Sequence, residues 1–167
     1  KRRVRERLRL SHRTMARINL KIPWRYRGTL FAIIALSWLT GVTFFVMNRW
    51  ITVEGEFGPE KHPAQALFLK VHGAAAFAMM ISYGYLLASH VPAGLRSRRQ
   101  RIIGLTLVAA QGFMILTAYG LYYISGEQFR EWVSYAHASV GFVFPALLAF
   151  HICSGIREQK YRAMGRA

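Results

Sequence analysis

Four apolar blocks, each long enough to cross a bilayer, dominate this chain and restrict it to folds that survive in hydrocarbon. They are "GTLFAIIALSWLTGVTFFVMN" (28–48), "AQALFLKVHGAAAFAMMISYGYLLASHV" (64–91), "IIGLTLVAAQGFMILTAYGLYYIS" (102–125) and residues 132–155. A run of eighteen or more mostly apolar residues reads as a transmembrane helix. Lipid offers the backbone no partners, so only helices and closed barrels span it. These runs are too long and too unbroken for barrel strands. The expected fold class is all-α, an integral membrane four-helix bundle. A long basic arm precedes the first block and no small-residue cleavage site follows it, which argues against a cleavable signal.

The net charge is +16, a value that would suit nucleic acid if it formed one patch. Instead it is partitioned. "KRRVRERLRLSHRTMARINLKIPWRYR", "RSRRQR" and "REQKYRAMGR" lie before helix one, between helices two and three, and after helix four. The other two connections hold five of the seven acids. Basic segments on one side only are what the positive-inside rule demands of an N-in, C-in protein. Topology thus accounts for the charge, and no nucleic-acid partner is expected. The chain divides into a basic arm (1–27), a four-helix membrane domain (28–157) and a basic tail (158–167). Val4, Leu8, Met15, Ile18 and Ile22 give the arm one apolar face, as in a helix lying on anionic lipid headgroups. The one cysteine, Cys153, leaves no partner for an internal disulfide and reads as a small packing residue.

Ionisable groups inside membrane helices are expensive and usually functional. Of six histidines, His12 and His62 lie outside the spans and read as solvated or capping residues. His72 and His90 fall on helix two, His137 and His151 on helix four. Eighteen steps separate the first two, which is five whole turns at about 100° per residue. Fourteen steps separate the second two, about 40° short of four turns. Each helix therefore presents one imidazole high and one low on a single face. Both helices run in the same direction, so His72 should meet His137 near the outer surface, and His90 should meet His151 near the inner one. The spans differ, about 27 Å against 21 Å, so helix tilt or a bend at Pro145 must absorb about 6 Å.

Four imidazoles so placed suit two six-coordinate haems stacked in a bundle core. Two imidazole ligands per iron leave no open position, which favours electron transfer over oxygen chemistry. No Cys-x-x-Cys-His is present, so the haems would be non-covalent and b-type. Propionates need cations, and Lys70, Arg99 and Arg101 are the candidates retained. Lys70 stands out because a lysine inside a span must snorkel or pair with an anion. Glycines in "HGAAAFA" and at Gly41, Gly84, Gly104, Gly112 and Gly120 leave room for a macrocycle, or serve as ordinary helix glue. No catalytic residue is singled out.

The pattern resembles the dihaem membrane cytochromes b. It is similar to the four-helix haem-binding part of cytochrome b in quinol–cytochrome c reductases, whose second and fourth helices each supply two histidines. The corresponding stretches here are "KVHGAAAFAMMISYGYLLASH" and "YAHASVGFVFPALLAFH". The helix-two spacing departs from that family, and the larger enzyme's additional helices and quinol-site motif are missing. Size and context also resemble the small cytochrome b anchor subunits of formate dehydrogenases and hydrogenases. Those take one ligand from helix one, which has no histidine here. The resemblances imply a multi-pass protein of the bacterial inner membrane, a subunit of a larger complex. It would link quinone to a periplasmic redox protein such as a c-type cytochrome or dehydrogenase, with that partner at the outer face.

Two alternatives stay open. A transporter or metal-handling protein would gather the four histidines into one compact site. A cofactor-free anchor or assembly subunit would use them only for packing.

Overall fold

The computed structural model describes residues 22–97 and 100–165. Four helices in it are long and apolar enough to cross a membrane. The elements are α1 (Trp24–Trp50), a hairpin of β1 (Thr52–Gly55) and β2 (Gly58–Lys61), α2 (Ala64–Ala88), α3 (His90–Ser97), α4 (Arg101–Tyr123) and α5 (Glu127–Met164). The expected lipid-surface helix of the basic arm falls outside the described residues, up to Ile22 at its end. The helices extend beyond residues 28–157. α1 starts before residue 28, and α5 runs on through most of the supposed tail.

The two-stranded hairpin corrects a purely α-helical expectation. After α1, the β-branched run Ile51, Thr52 and Val53 disfavours further helix. Val53 pairs with Glu60, and Gly55 with Gly58, around a two-residue turn. Gly58 has φ +114, a conformation open to glycine and strained for any other residue. α2 then begins behind Pro63, where the His62 ring accepts the Ala64 N–H at 3.2 Å, the capping role expected of it.

A second correction concerns the end of this helix. α2 stops at Ala88, and His90 is the first residue of the separate helix α3. Pro92 explains the break, because its ring collides with the carbonyl four residues back and it lacks a donor. That carbonyl belongs to Ala88, the last residue of α2. Ser89 covers the frayed end by donating its hydroxyl and its N–H to the Tyr85 carbonyl, at 2.6 and 3.0 Å. By contrast α5 runs unbroken through Pro145. The interruption thus lies on the helix with the longer histidine spacing, not at the proline of its partner.

Packing is extensive between α1 and α2 and between α4 and α5, with a lesser contact of α1 on α5. The Arg49–Glu131 ion pair at 2.8 Å and the edge-on Phe45–Phe142 rings join α1 to α5. Tyr83 donates its hydroxyl to the Val108 carbonyl at 2.9 Å, joining α2 to α4. Going around the bundle, the order is α2, α1, α5, α4. The two histidine-bearing long helices therefore face each other across a diagonal. The described residues include only five classed as buried, Leu30, Thr40, Met47, Ala75 and Ser82, all on α1 and α2. Apolar side chains instead cover the outside, as befits helices whose surroundings are as apolar as their side chains. Cys153 is exposed too, so it is not the interior packing residue expected from its size. Connections alternate between two ends of the bundle, referred to below as the hairpin end and the basic end.

Candidate functional site

The diagonal brings the four span histidines together in two pairs. His72 and His137 have ring centres 6.3 Å apart with planes at 88°, and His90 and His151 have centres 6.4 Å apart with planes at 88°. Fourteen residues of unbroken α5 separate His137 from His151, a rise of about 21 Å. The histidines thus make two sites at different depths and not one cluster.

Such distances suit two imidazoles on opposite sides of one metal. Allowing about 2.0 Å for each metal–nitrogen bond and about 1.1 Å from nitrogen to ring centre, trans imidazoles stand roughly 6 Å apart. A bare zinc ion would want four protein ligands. Among the described residues no group of three or more His, Cys, Asp or Glu could hold a metal ion. Each pair could supply two imidazoles to a metal, and any further ligands would have to come with that metal.

At the hairpin end the ring orientation is fixed on both sides. His72 Nδ1 lies 2.9 Å from the Ser37 carbonyl of α1, which can only accept, so Nδ1 carries the proton. The Thr117 hydroxyl donates back to the Phe113 carbonyl at 2.8 Å and accepts from His137 Nδ1 at 2.8 Å. Both rings are left with an unprotonated Nε2, the tautomer a metal needs, held by the kind of outer partner that orients metal-ligating histidines. Gly41 makes this possible on the α1 side. A Cβ there would stand 2.8 Å from His72 Cε1, closer than such atoms ever approach. Neither partner was legible in the sequence: Ser37 acts through its backbone carbonyl, which every residue carries, and hydroxyls in membrane helices usually bond their own backbone, as Thr40 does to Leu36.

The basic end is built differently. His90 opens α3 directly after the helix break. His151 Nδ1 is buried and has no hydrogen-bond partner among the described residues. Gly104 of α4 faces this ring, where an added Cβ would sit 3.9 Å from His151 Cε1. Gln100, in the left-handed conformation at φ 46, places its amide against Gly155, one turn beyond His151. The other expected glycines vary. A Cβ at Gly112 would touch the Tyr83 hydroxyl at 3.6 Å, and one at Gly84 would meet nothing within 4 Å.

Of the expected cations, Lys70 and Arg101 are among the described residues, and no described hydrogen bond or ion pair links either to the histidine pairs. Lys70 is exposed and sits two residues, about 200°, from His72 on the same helix, so it faces away from the hairpin-end pair. Arg101 gives its guanidinium to the Leu95 carbonyl at 3.0 and 2.7 Å, fastening α3 to the start of α4. Arg99 lies outside the described residues. No protein-family model, no curated protein and no solved structure matches the chain.

Proposed function

We propose that this protein carries electrons across a membrane through two b-type haems, one held by His72 and His137 and the other by His90 and His151. One geometric fact supports this above all. Each pair sets two imidazole rings at centre-to-centre spacings of 6.3 and 6.4 Å, with no third His, Cys, Asp or Glu grouped with them among the described residues. A haem brings four in-plane ligands and an iron that changes charge by one electron. The protein's own contribution would be to hold each haem between a pair of histidines, fix the tautomer through the Ser37 carbonyl and the Thr117 hydroxyl, and keep the small residues Gly41 and Gly104 beside the rings. A haem held by two histidines would carry electrons and leave no open site for oxygen or peroxide. Stacking the pairs about 21 Å apart along α5 leaves an edge-to-edge gap short enough for tunnelling once macrocycle radii are subtracted.

In this reading the chain is a subunit of a bacterial inner-membrane complex, exchanging electrons with quinone and with a periplasmic redox protein such as a c-type cytochrome or dehydrogenase. Depth separation of the two pairs disfavours a single transport or metal site. Absorption spectra of the purified protein, oxidised and dithionite-reduced, test the proposal. Sharp reduced α and β bands with two haems per chain by pyridine haemochrome are expected. A colourless native preparation refutes it.

A further inference from the structure

The helix that carries His72 does not by itself set the position of His90. α2 is regular from Ala64 to Ala88, and Pro92 then interrupts the hydrogen-bonded ladder that would fix one histidine relative to the other. Yet the His90 and His151 rings stand 6.4 Å apart with planes at 88°, as the His72 and His137 rings stand at 6.3 Å and 88°. Contacts from other helices must supply what helical regularity does not.

Two such contacts flank His90. Before it, the Tyr26 hydroxyl of α1 donates to the Ser82 carbonyl of α2 at 2.9 Å, and the Tyr26 ring lies against that of Tyr85 with centres 4.4 Å apart. Ser82 is buried, so this contact closes a tight part of the seam between α1 and α2. The Tyr85 carbonyl in turn accepts the hydroxyl and the N–H of Ser89, the residue next to His90. After it, Arg101 Nε and Nη2 donate to the Leu95 carbonyl at 3.0 and 2.7 Å, tying the far part of α3 to α4. His90 therefore sits on a short stretch held by α1 on one side and by α4 on the other.

An interfacial belt role does not account for Tyr26. Belt aromatics turn their polar tips towards headgroups and water. Trp24, two residues earlier, is 74% exposed and suits that task. Tyr26 is half-buried and directs its hydroxyl inward. The Ser82 carbonyl lies inside regular helix, so the backbone does not need this bond. What the bond adds is a fixed placement of the last turns of α2 against α1. Arg101, by position a charge of the basic side, likewise uses its fork of donors on a neighbouring backbone.

We infer that Tyr26 and Arg101 are positioning residues for His90, holding the end of α2 and the far part of α3 so that its imidazole faces that of His151. The consequence for a haem rests on the electron-transfer reading above; the fastening does not. Tyr26→Leu and Arg101→Gln in the full-length protein test it by two measurements. The low-spin electron paramagnetic resonance signal of an oxidised bis-histidine haem follows the angle between its imidazole planes. The basic-end signal, the one that His90→Ala removes, should move in both variants while the other stays in place. Basic-end haem should also bind about tenfold more weakly in each, the worth of one hydrogen bond. Tyr26→Phe keeps the ring and should shift the signal less, and Arg101→Lys should restore part of the native position. A merely stabilising role would weaken both haems together and move neither signal. Backbone hydrogen exchange, which needs no haem, should quicken at residues 86–95 and stay native at 64–80. Two haems with the basic-end signal unmoved in both variants overturn the inference. In a protein that binds no haem the electron-transfer reading fails, and exchange alone decides: faster exchange keeps the fasteners, and unchanged exchange removes them.

Discussion

The two ends of the bundle present the same imidazole pair at the same spacing, 6.3 against 6.4 Å, yet they reach it by different means. At the hairpin end both histidines sit within regular helix, and both Nδ1 atoms are anchored, on the Ser37 carbonyl and the Thr117 hydroxyl. At the basic end one histidine follows a helix break, and the other keeps a buried Nδ1 with no partner among the described residues. Ring spacing is therefore set by the diagonal of the bundle, while ring electronics are set locally. An acceptor on Nδ1–H makes imidazole a stronger ligand and favours the oxidised metal. If the chain binds two haems as proposed, the hairpin-end centre should hold its haem more firmly and have the lower reduction potential.

The largest effects come from removing ligands. His72→Ala and His137→Ala should each cost the same haem, lowering content from two to one per chain. His90→Ala and His151→Ala should each cost the other. Difference spectra and haemochrome counts read this directly. Loss of a common haem in His72→Ala and His151→Ala would break the pairing. Next in size is Gly41→Val. Its added methyls must enter space held by the His72 ring, which Ser37 pins in place. Hairpin-end haem should become substoichiometric with the basic-end haem intact. Full occupancy of both would show that the His72 ring moves freely.

Thr117→Val sharpens the comparison without removing a ligand. It removes the Thr117 hydroxyl from His137 Nδ1 and so brings the hairpin end closer to the basic end. Haem affinity at that site should fall about 10- to 100-fold. The midpoint potential should rise by roughly 40 mV, the equivalent of about 1 kcal/mol for one electron. Spectroelectrochemistry that finds both potentials unmoved would detach the hydroxyl from ligand tuning.

Much of this arrangement can be read in the residue string, and the reason is geometric. Helical periodicity puts His137 and His151 on one face of unbroken α5, and the alternation of basic and acidic connections sets which ends adjoin. Which imidazoles meet follows from those two facts. The hairpin at residues 52–61 is harder to see, because its turn Glu56-Phe57 carries no glycine and its signal is the Gly58 that follows. The stop at Ala88 is visible in Pro92 only if the clash is counted back four residues. Lys70 misleads because charge inside a span invites a functional role, whereas its angle from His72 turns it outward. The contacts of the Ser37 carbonyl and the Thr117 hydroxyl depend on helix-to-helix packing that no local pattern encodes.

The smallest expected effect lies at the rim of the hairpin end. Arg49 pairs with Glu131 at 2.8 Å and also stacks over the Tyr135 ring at 4.4 Å. Glu131 is half exposed, with 50% of its side chain accessible, so water competes for the ion pair. Stacking on an aromatic face survives solvent better and needs only the cation. Glu131→Gln should therefore shift thermal unfolding by no more than about 1–2 °C, and Arg49→Gln by a few degrees. Neither change reaches the anchored Nδ1 atoms, so both haem spectra and both potentials should stay as in the native protein. A potential shift at the hairpin-end centre in Arg49→Gln alone would mean that this guanidinium acts on the haem as a charge, an influence with no counterpart described at the basic end.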